Sequence, residues 1–246
     1  MGHLFEEIDS QPSPIGEISL RRRRIPALGD RDIYEVKLGD EFLMSSMFVD
    51  AEEALSDLGL ARLTTGSDSA SLDIVVGGLG LGYTAVAALK DERVREMLVV
   101  DYLEPVIRWH KEEKVPLGRT LNRDGRCRYV QGSFFEMALT PEDGFDPDTP
   151  GRQFDAILLD IDHSPSDYLN DANARFYTTE KLAAMAQQLK PGGVFALWSN
   201  ELPDTAFIET LESVFDEVRA EVVRFYNPIQ NNEASNSVYT ALRPVN

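Results

Sequence analysis

The sequence has few of the residues that would place it among disulfide-rich, metal-binding or membrane proteins. Cys127 is the only cysteine, so neither an internal disulfide nor a metal site built from several thiolates can form. No stretch approaches the ~20 consecutive apolar residues that a membrane helix needs. The first ten residues are acidic, whereas a signal peptide would begin with a basic and then an apolar run. We therefore expect a soluble cytoplasmic protein that binds no metal.

Basic side chains are also scarce. Lysine and arginine number 24 against 42 aspartate and glutamate residues, for a formal net charge of −18. Such a charge repels phosphate backbones and anionic membranes, which favours a small-molecule ligand over nucleic acid or a membrane. The one basic run, Arg21 to Arg24, lies in a predicted strand. We interpret it as the charge that protects an edge strand, with a phosphate site as the alternative.

The length and the spacing of apolar runs predict one α/β domain with a small appendage. Residues 1–60 are expected to form a small N-terminal β-rich segment, with strands at 17–25 and within 33–47 and a helix at 51–63. Residues 61–246 are expected to form a Rossmann-like domain with a mostly parallel seven-stranded sheet, because strand and helix patterns alternate. The apolar runs lie at 72–77, 97–100, 128–131, 156–159 and 194–198.

The last third of the chain predicts a helix and then a hairpin. A helix is expected at 179–189, ended by Lys190-Pro191-Gly192-Gly193. Strands at 218–226 and 238–242 are expected to close the sheet as a C-terminal antiparallel hairpin. The polar residues 227–237 between them predict a solvated connection, with a flap over a ligand as the alternative.

The most informative stretch is Leu72–Tyr83, an apolar run that breaks into closely spaced glycines and resumes as a helix. Glycine permits positive φ and lets a ligand approach where a Cβ would collide. A dinucleotide fingerprint reads G-x-G-x-x-G, but the glycines here are spaced G-x-G-x-G. This spacing favours an adenosylmethionine turn of the class I methyltransferase fold over an NAD or flavin site. The residues expected to form the cofactor turn are Gly77, Gly78, Leu79, Gly80, Gly82 and Tyr83.

A carboxylate follows the next predicted strand. Asp101 lies about twenty residues beyond the turn, where an acidic side chain can accept both ribose hydroxyls. The alternative is a helix cap ahead of Pro105, which stands where a first-turn proline belongs. We expect Asp101, with the adjacent Tyr102, to contact the nucleoside.

Several segments together resemble the spermidine synthase group of the class I adenosylmethionine-dependent transferases. They are the β-rich first segment, the glycine turn Gly77–Gly82, Val100-Asp101-Tyr102-Leu103-Glu104-Pro105-Val106-Ile107, Phe154-Asp155-Ala156-Ile157-Leu158-Leu159-Asp160, Arg175-Phe176-Tyr177 and Leu189-Lys190-Pro191-Gly192-Gly193. The resemblance implies a sulfonium donor, either S-adenosylmethionine or its decarboxylated form, a small amine or polyamine-like substrate, and a homodimer. It also implies that the adenine lies near Gly132, Ser133 and Phe134.

The chain departs from this group at residues that define the reaction. Gly80 stands where polyamine synthases carry the acid that holds the amino end of decarboxylated adenosylmethionine. Ser133 replaces the acid that contacts adenine, and Trp198-Ser199-Asn200 replaces a glutamine. The motif D-x-x-D-P is represented by Asp160-Ile161-Asp162-His163-Ser164-Pro165, in which only Asp160 matches.

The candidate catalytic residues follow from this comparison. A carboxylate of pKa ~4 is a weak base toward an ammonium of pKa ~10, so Asp160 is expected to orient the amine by a hydrogen bond, with capping of the next loop as the alternative. Asp162 and His163 form a candidate pair in which the carboxylate fixes the imidazole tautomer, with a surface loop histidine as the alternative. Tyr177 is expected to offer its ring to a sulfonium or ammonium, with packing against the sheet as the alternative. His110 is expected on a helix surface.

Methyl transfer to a small amine or similar nucleophile is the favoured activity, because the acid specific for the decarboxylated donor is absent. One alternative is an aminopropyltransferase that makes a polyamine. Another is a nucleoside-binding protein that has lost turnover. Since a sulfonium donor is already activated, positioning is expected to dominate in either reaction.

Overall fold

The computed structural model describes residues 4–26, 29–63 and 71–245 and contains two β-sheets. The first is a four-stranded antiparallel sheet in the order β1-β2-β3-β4. Its strands are β1 (Phe5–Ser13), β2 (Gly16–Ile25), β3 (Arg31–Leu38) and β4 (Glu41–Ser45). The last three match the β-rich pattern, whereas β1 was not predicted, because its sequence is polar and its extended form depends on pairing with β2.

The arginine run lies in the interior of this small sheet. β2 pairs with β1 on one side and with β3 on the other, so the expectation of an edge strand is wrong. Three of the four arginines instead pair with acids of the flanking strands: Arg22 lies 2.5 Å from Glu6, Arg23 lies 2.7 Å from Glu35, and Arg24 lies 2.7 Å from Asp32. These cross-strand pairs explain the run without a bound phosphate.

The second sheet has seven strands in the order β10-β11-β9-β8-β5-β6-β7. They are β5 (Leu72–Gly77), β6 (Val94–Asp101), β7 (Cys127–Gln131), β8 (Phe154–Leu159), β9 (Leu189–Ser199), β10 (Asp216–Asn227) and β11 (Asn232–Leu242). β5 to β9 are parallel, whereas β11 runs antiparallel to both of its neighbours. This arrangement confirms the predicted α/β, Rossmann-like sheet with a C-terminal antiparallel hairpin.

Helices cover both faces of the large sheet. They are α1 (Asp50–Ala61), α2 (Tyr83–Leu89), α3 (Glu104–Lys111), α4 (Gly118–Arg123), α5 (Phe134–Ala138), α6 (Thr179–Ala186) and α7 (Thr205–Glu212), with a 3-10 helix at Asp171–Tyr177. α1 packs closely on the sheet, since a Cβ on Gly59 would lie 2.9 Å from Leu158 of β8. Within the described residues, no helix is long and apolar enough to span a membrane. A domain boundary near residue 60 stays a prediction.

Two boundaries differ from the sequence expectation. α6 ends at Ala186, and the residues that were expected to end the helix form the start of β9, where Leu189 pairs with Phe154. β10 and β11 remain paired as far as Asn227 and Asn232, so the expected long connection is a short turn. Polar composition misled the prediction here, because pairing with a neighbouring strand satisfies the backbone whatever the side chains are.

The functional residues lie at the carboxyl edge of the large sheet. β5, β6 and β8 are adjacent and parallel, so their carboxyl ends meet at one edge, the usual ligand-binding edge of open α/β sheets. β4 and the start of α1 cover this edge from the side of the small sheet.

Candidate active site

A cleft of about 240 Å³ opens between the small sheet and the carboxyl edge of the large sheet. The wall from the small sheet is apolar and includes Val36, Leu43 and Met44. The opposite wall consists of the glycine turn and the residues that follow the parallel strands. The sequence-predicted residues that line the cleft are Gly78, Gly80, Asp101, Tyr102, Ser133, Phe134, Asp160 and His163.

The glycine turn has the backbone that its sequence predicts. Gly78, Gly80 and Gly82 have φ values of 95°, 46° and 90°, a region that side chains disfavour. A Cβ on Gly78 would overlap the carbonyl oxygen of Asp160, so the end of β8 lies directly against the turn. Glycine at 78 is therefore required both by the dihedral angle and by the close approach of the neighbouring strand.

The small sheet contacts this turn through one methionine. The sulfur of Met44 accepts a hydrogen bond from the backbone N–H of Leu81 at 3.0 Å, and it would lie 2.7 Å from a Cβ on Gly80. A side chain at position 80 would therefore require the flexible side chain of Met44 to move. The small sheet and the glycine turn thus contact each other at Gly80 and Leu81.

The side chain of His110 packs against the glycine turn and bonds to its backbone. Its Nε2 lies 3.0 Å from the carbonyl oxygen of Gly80, and because a carbonyl only accepts, Nε2 must carry the proton. The ring is fully buried, and burial lowers its pKa to about 4, so the imidazole is neutral near pH 7. The expectation that His110 lies on a helix surface is wrong, because α3 turns this residue toward Gly82 of the glycine turn.

Asp101 bonds to the glycine turn and also lines the cleft. Its Oδ2 accepts the N–H of Leu79 at 2.9 Å, and its Oδ1 accepts the N–H of Leu103 at 2.8 Å. Burial raises the pKa of Asp101, and the backbone N–H groups bound to it act in the opposite direction. Each carboxylate oxygen has further acceptor capacity, so Asp101 can hold the turn, cap the entry to α3 and still accept a ligand hydroxyl.

The end of β7 supplies a further wall of the cleft. Ser133 caps α5 by accepting the N–H of Glu136 at 3.3 Å, and the ring of Phe134 packs beneath Gly77. Gly132 donates its N–H to the carbonyl of Asp101 at 3.0 Å, which ties this segment to β6. Tyr102, 44% exposed, presents its ring at the mouth of the cleft.

Asp160 lies beside the glycine turn. The hydroxyl of Thr84, in the first turn of α2, donates to its Oδ2 at 2.6 Å. Burial raises the pKa of Asp160, and the bond from Thr84 opposes that rise. Among the described residues, this bond from a neutral hydroxyl is the only hydrogen bond to the carboxyl group of Asp160, which suits the group to orient a cationic or N–H-bearing ligand.

The predicted pair of Asp162 and His163 is not formed. Asp162 is 2% exposed and accepts hydrogen bonds from Leu169 N–H, Asn173 Nδ2 and Tyr177 OH, at 2.9, 2.8 and 2.7 Å. His163 points the other way, into the cleft, and its Nε2 lies 2.7 Å from Glu41 of β4. Successive side chains of an extended segment face opposite sides, which explains the separation.

Tyr177 and five residues of the predicted cofactor set do not line the cleft. Tyr177 is buried, and its hydroxyl is bound to Asp162, so its ring packs in the core rather than against a ligand. Tyr83 begins α2 and is half-buried on the side of the small sheet. Three residues of the glycine turn and one residue after β7 also lie outside the cleft lining: Gly77, Leu79, Gly82 and Gly132.

Glu52 is a cleft residue that the sequence did not reveal. It belongs to the first turn of α1 and lines the cleft near Asp160. Burial and the charge of Asp160 both raise the pKa of its carboxyl group. In the sequence it is one of three acids at a helix start, a pattern that helix electrostatics alone explain. Only the placement of α1 distinguishes it from its neighbours.

Comparison with known proteins shows the fold but no family by sequence. No family model and no curated protein matches the chain. A spermidine synthase from Thermotoga maritima aligns at 19% identity and a TM-score of 0.69, over 98% of this chain and 74% of that one. A spermidine synthase in complex with the transition state analogue AdoDATO aligns at 19% identity and 0.70, with the same coverage. The chain thus has a spermidine synthase-like class I fold.

Proposed function

We propose that this protein transfers an aminopropyl group from a decarboxylated adenosylmethionine-type donor to a small amine. The observation that carries the proposal is the meeting of the glycine turn, Asp101 and Asp160 in one cleft of a spermidine synthase-like fold. The fold likeness favours this reaction, an alternative in the sequence analysis, over methyl transfer.

The cleft fits the nucleoside part of such a donor. Gly78 and Gly80 expose main chain without side chains, and Asp101 reaches the same surface with unused acceptor capacity for ribose hydroxyls. Tyr102 and Ser133 flank this position and offer a ring face and a hydroxyl group to an adenine. These contacts distinguish a nucleoside from a simple amine.

The charge of the cleft favours the decarboxylated donor. Asp160 and Glu52 are two acidic groups of one partly buried cleft, and burial together with the charge of Asp160 raises the pKa of Glu52 to about 8, so the two groups share about one negative charge near pH 7. The carboxylate of intact adenosylmethionine would add a further negative charge. A donor arm that ends in an ammonium instead brings the opposite charge.

The transfer itself makes modest demands on the protein. The amine nitrogen forms a bond to the carbon next to sulfur, the carbon–sulfur bond breaks, and its electron pair leaves with the thioether. The sulfonium supplies the activation, so the protein must bind the partners in line and accept hydrogen bonds from the amine. Asp160 is placed for that hydrogen bond, and the proton of the amine leaves to solvent or to a nearby base such as His163.

Two features favour methyl transfer as a second candidate. Arg175 lines the cleft and forms no ion pair within the described part of the chain, so its guanidinium is available to a donor carboxylate. Gly80 also lacks the acid that the resemblance associates with a decarboxylated donor.

Calorimetry separates the candidates. Methylthioadenosine, adenosylmethionine and decarboxylated adenosylmethionine are titrated into the same preparation, and transfer is then assayed with a panel of small amines. We expect the decarboxylated donor to bind at least about tenfold more tightly than adenosylmethionine, a difference of ~1.4 kcal/mol, and to support transfer. Tighter binding of adenosylmethionine with methylated products would overturn the proposal, and tight binding without any turnover would indicate a nucleoside-binding protein.

A further inference from the structure

We infer that Glu52 is a ligand-binding residue, which forms with Asp160 a pair of carboxylates that receives one ammonium group of a substrate. The inference rests on the proposed function, since both reacting partners of an aminopropyl transfer carry amino groups. It assigns a role to a residue outside the glycine turn and outside the segment that follows β8.

The geometry of α1 singles out Glu52 from its neighbours. Asp50, Glu52 and Glu53 all lie in the first turn of this helix, where the helix dipole favours negative charge. Glu53 points to the surface, and its carboxylate lies 3.3 Å from the ammonium of Lys90. Glu52 instead lines the cleft. Helix geometry turns adjacent side chains by about 100°, so one acid serves the surface and the next the cleft.

The two cleft carboxyl groups are not paired with the basic side chains that line the same cleft, Arg175 and His163. Asp160 accepts the hydroxyl of Thr84, and neither Asp160 nor Glu52 forms an ion pair within residues 4–26, 29–63 and 71–245. His163 is instead engaged by Glu41. Burying carboxylates without a partner is costly, and an incoming cation offsets that cost.

The chemistry of the pair favours an ammonium over the sulfonium of the donor. A primary ammonium carries three N–H donors, so it can bond to both carboxylates at once. A sulfonium has no N–H group and gains only from the charge. The ammonium can come from the donor arm or from the acceptor, and binding experiments distinguish these two sources.

The test compares Glu52→Gln with Glu53→Gln, two neighbouring substitutions that replace the same carboxyl group with an amide. Three ligands are titrated: methylthioadenosine, which has no ammonium; decarboxylated adenosylmethionine; and putrescine in the presence of methylthioadenosine. We expect Glu52→Gln to retain methylthioadenosine affinity and to weaken one of the two ammonium ligands by roughly 10- to 100-fold, as for a lost charged hydrogen bond. The weakened ligand identifies the source. Glu53→Gln should change neither.

Several outcomes separate this inference from the proposed function. If wild-type protein transfers the aminopropyl group and Glu52→Gln binds both ammonium ligands like wild type, the role of Glu52 is refuted and the function stands. If wild-type protein binds neither ammonium ligand, both are overturned. Unchanged methylthioadenosine affinity shows that the variant is folded. Should Glu52→Gln fail to fold, Glu52→Asp takes its place, because it retains the carboxyl group on a shorter arm. Glu52→Asp should fold and should lower the ammonium affinity. Undiminished affinity would refute the inference.

Discussion

Replacing Gly78 with alanine tests the contact that brings β8 to the glycine turn. Two separate costs are expected. The φ of 95° disfavours any residue with a Cβ by about 1–2 kcal/mol. The new Cβ would also overlap the carbonyl oxygen of Asp160, whose backbone N–H donates to Gly77 at 2.8 Å. Because a hydrogen-bonded backbone cannot move aside as a flexible side chain can, the overlap should add about 1–3 kcal/mol.

Gly39→Ala is the matched control. Gly39 has a φ of 55° in the turn between β3 and β4, and a Cβ there would meet no atom within 4 Å. Urea denaturation should therefore show a loss of about 1–2 kcal/mol for Gly39→Ala and a loss of about 2–5 kcal/mol for Gly78→Ala. The folded fraction of Gly78→Ala should also bind methylthioadenosine less tightly. Equal losses for the two variants would show that β8 does not lie against the turn.

Three further substitutions test the roles of named side chains. Asp101→Asn leaves only one acceptor oxygen for the N–H groups of Leu79 and Leu103, so it should lower the free energy of unfolding by about 1–3 kcal/mol. It should also weaken the binding of methylthioadenosine, measured by calorimetry, about tenfold. Unaltered affinity would remove the ribose role. Tyr177→Phe deletes one hydrogen bond to buried Asp162 and should lower the free energy of unfolding by about 1–3 kcal/mol without changing ligand affinity. Loss of aminopropyl transfer at unchanged stability would instead show that Tyr177 has a catalytic role. Burial lowers the pKa of His110 to about 4, so the unfolded chain takes up its proton first as the pH falls below about 6.5. The destabilisation by His110→Asn, measured in urea, should therefore shrink between pH 6.5 and 4, and a constant difference would refute a neutral buried imidazole.

Local sequence was sufficient for β5, for the glycine turn and for the helix that follows it. β5 has the predicted bounds, Leu72–Gly77, and α2 follows the glycines as expected, because an unbroken apolar run and an alanine-rich helix each depend on neighbouring residues. The positive φ values at Gly78 and Gly80 follow from the same local chemistry. Asp101 was predicted at the cleft for a similar reason, since strand ends of a parallel sheet meet at one edge.

Longer-range packing decided which side chains share the cleft. His110, expected on a surface, is buried because α3 meets the glycine turn, and no helical period reveals that contact. Asp162 and His163 are adjacent in sequence but serve different surfaces, one bound to Tyr177 and the other to Glu41. A sequence gives the order of such residues but not the direction in which each one points.

The amino-acid sequence by itself determined the α/β class, the glycine turn and the carboxylates at the ends of β6 and β8, because backbone dihedral preferences and apolar periodicity act over a few residues. The tertiary structure alone decided that Met44 occupies the space beside Gly80 and that Glu52 lies near Asp160. Those contacts join residues more than thirty positions apart, and they exist only because the small sheet and α1 pack against the carboxyl edge of the large sheet.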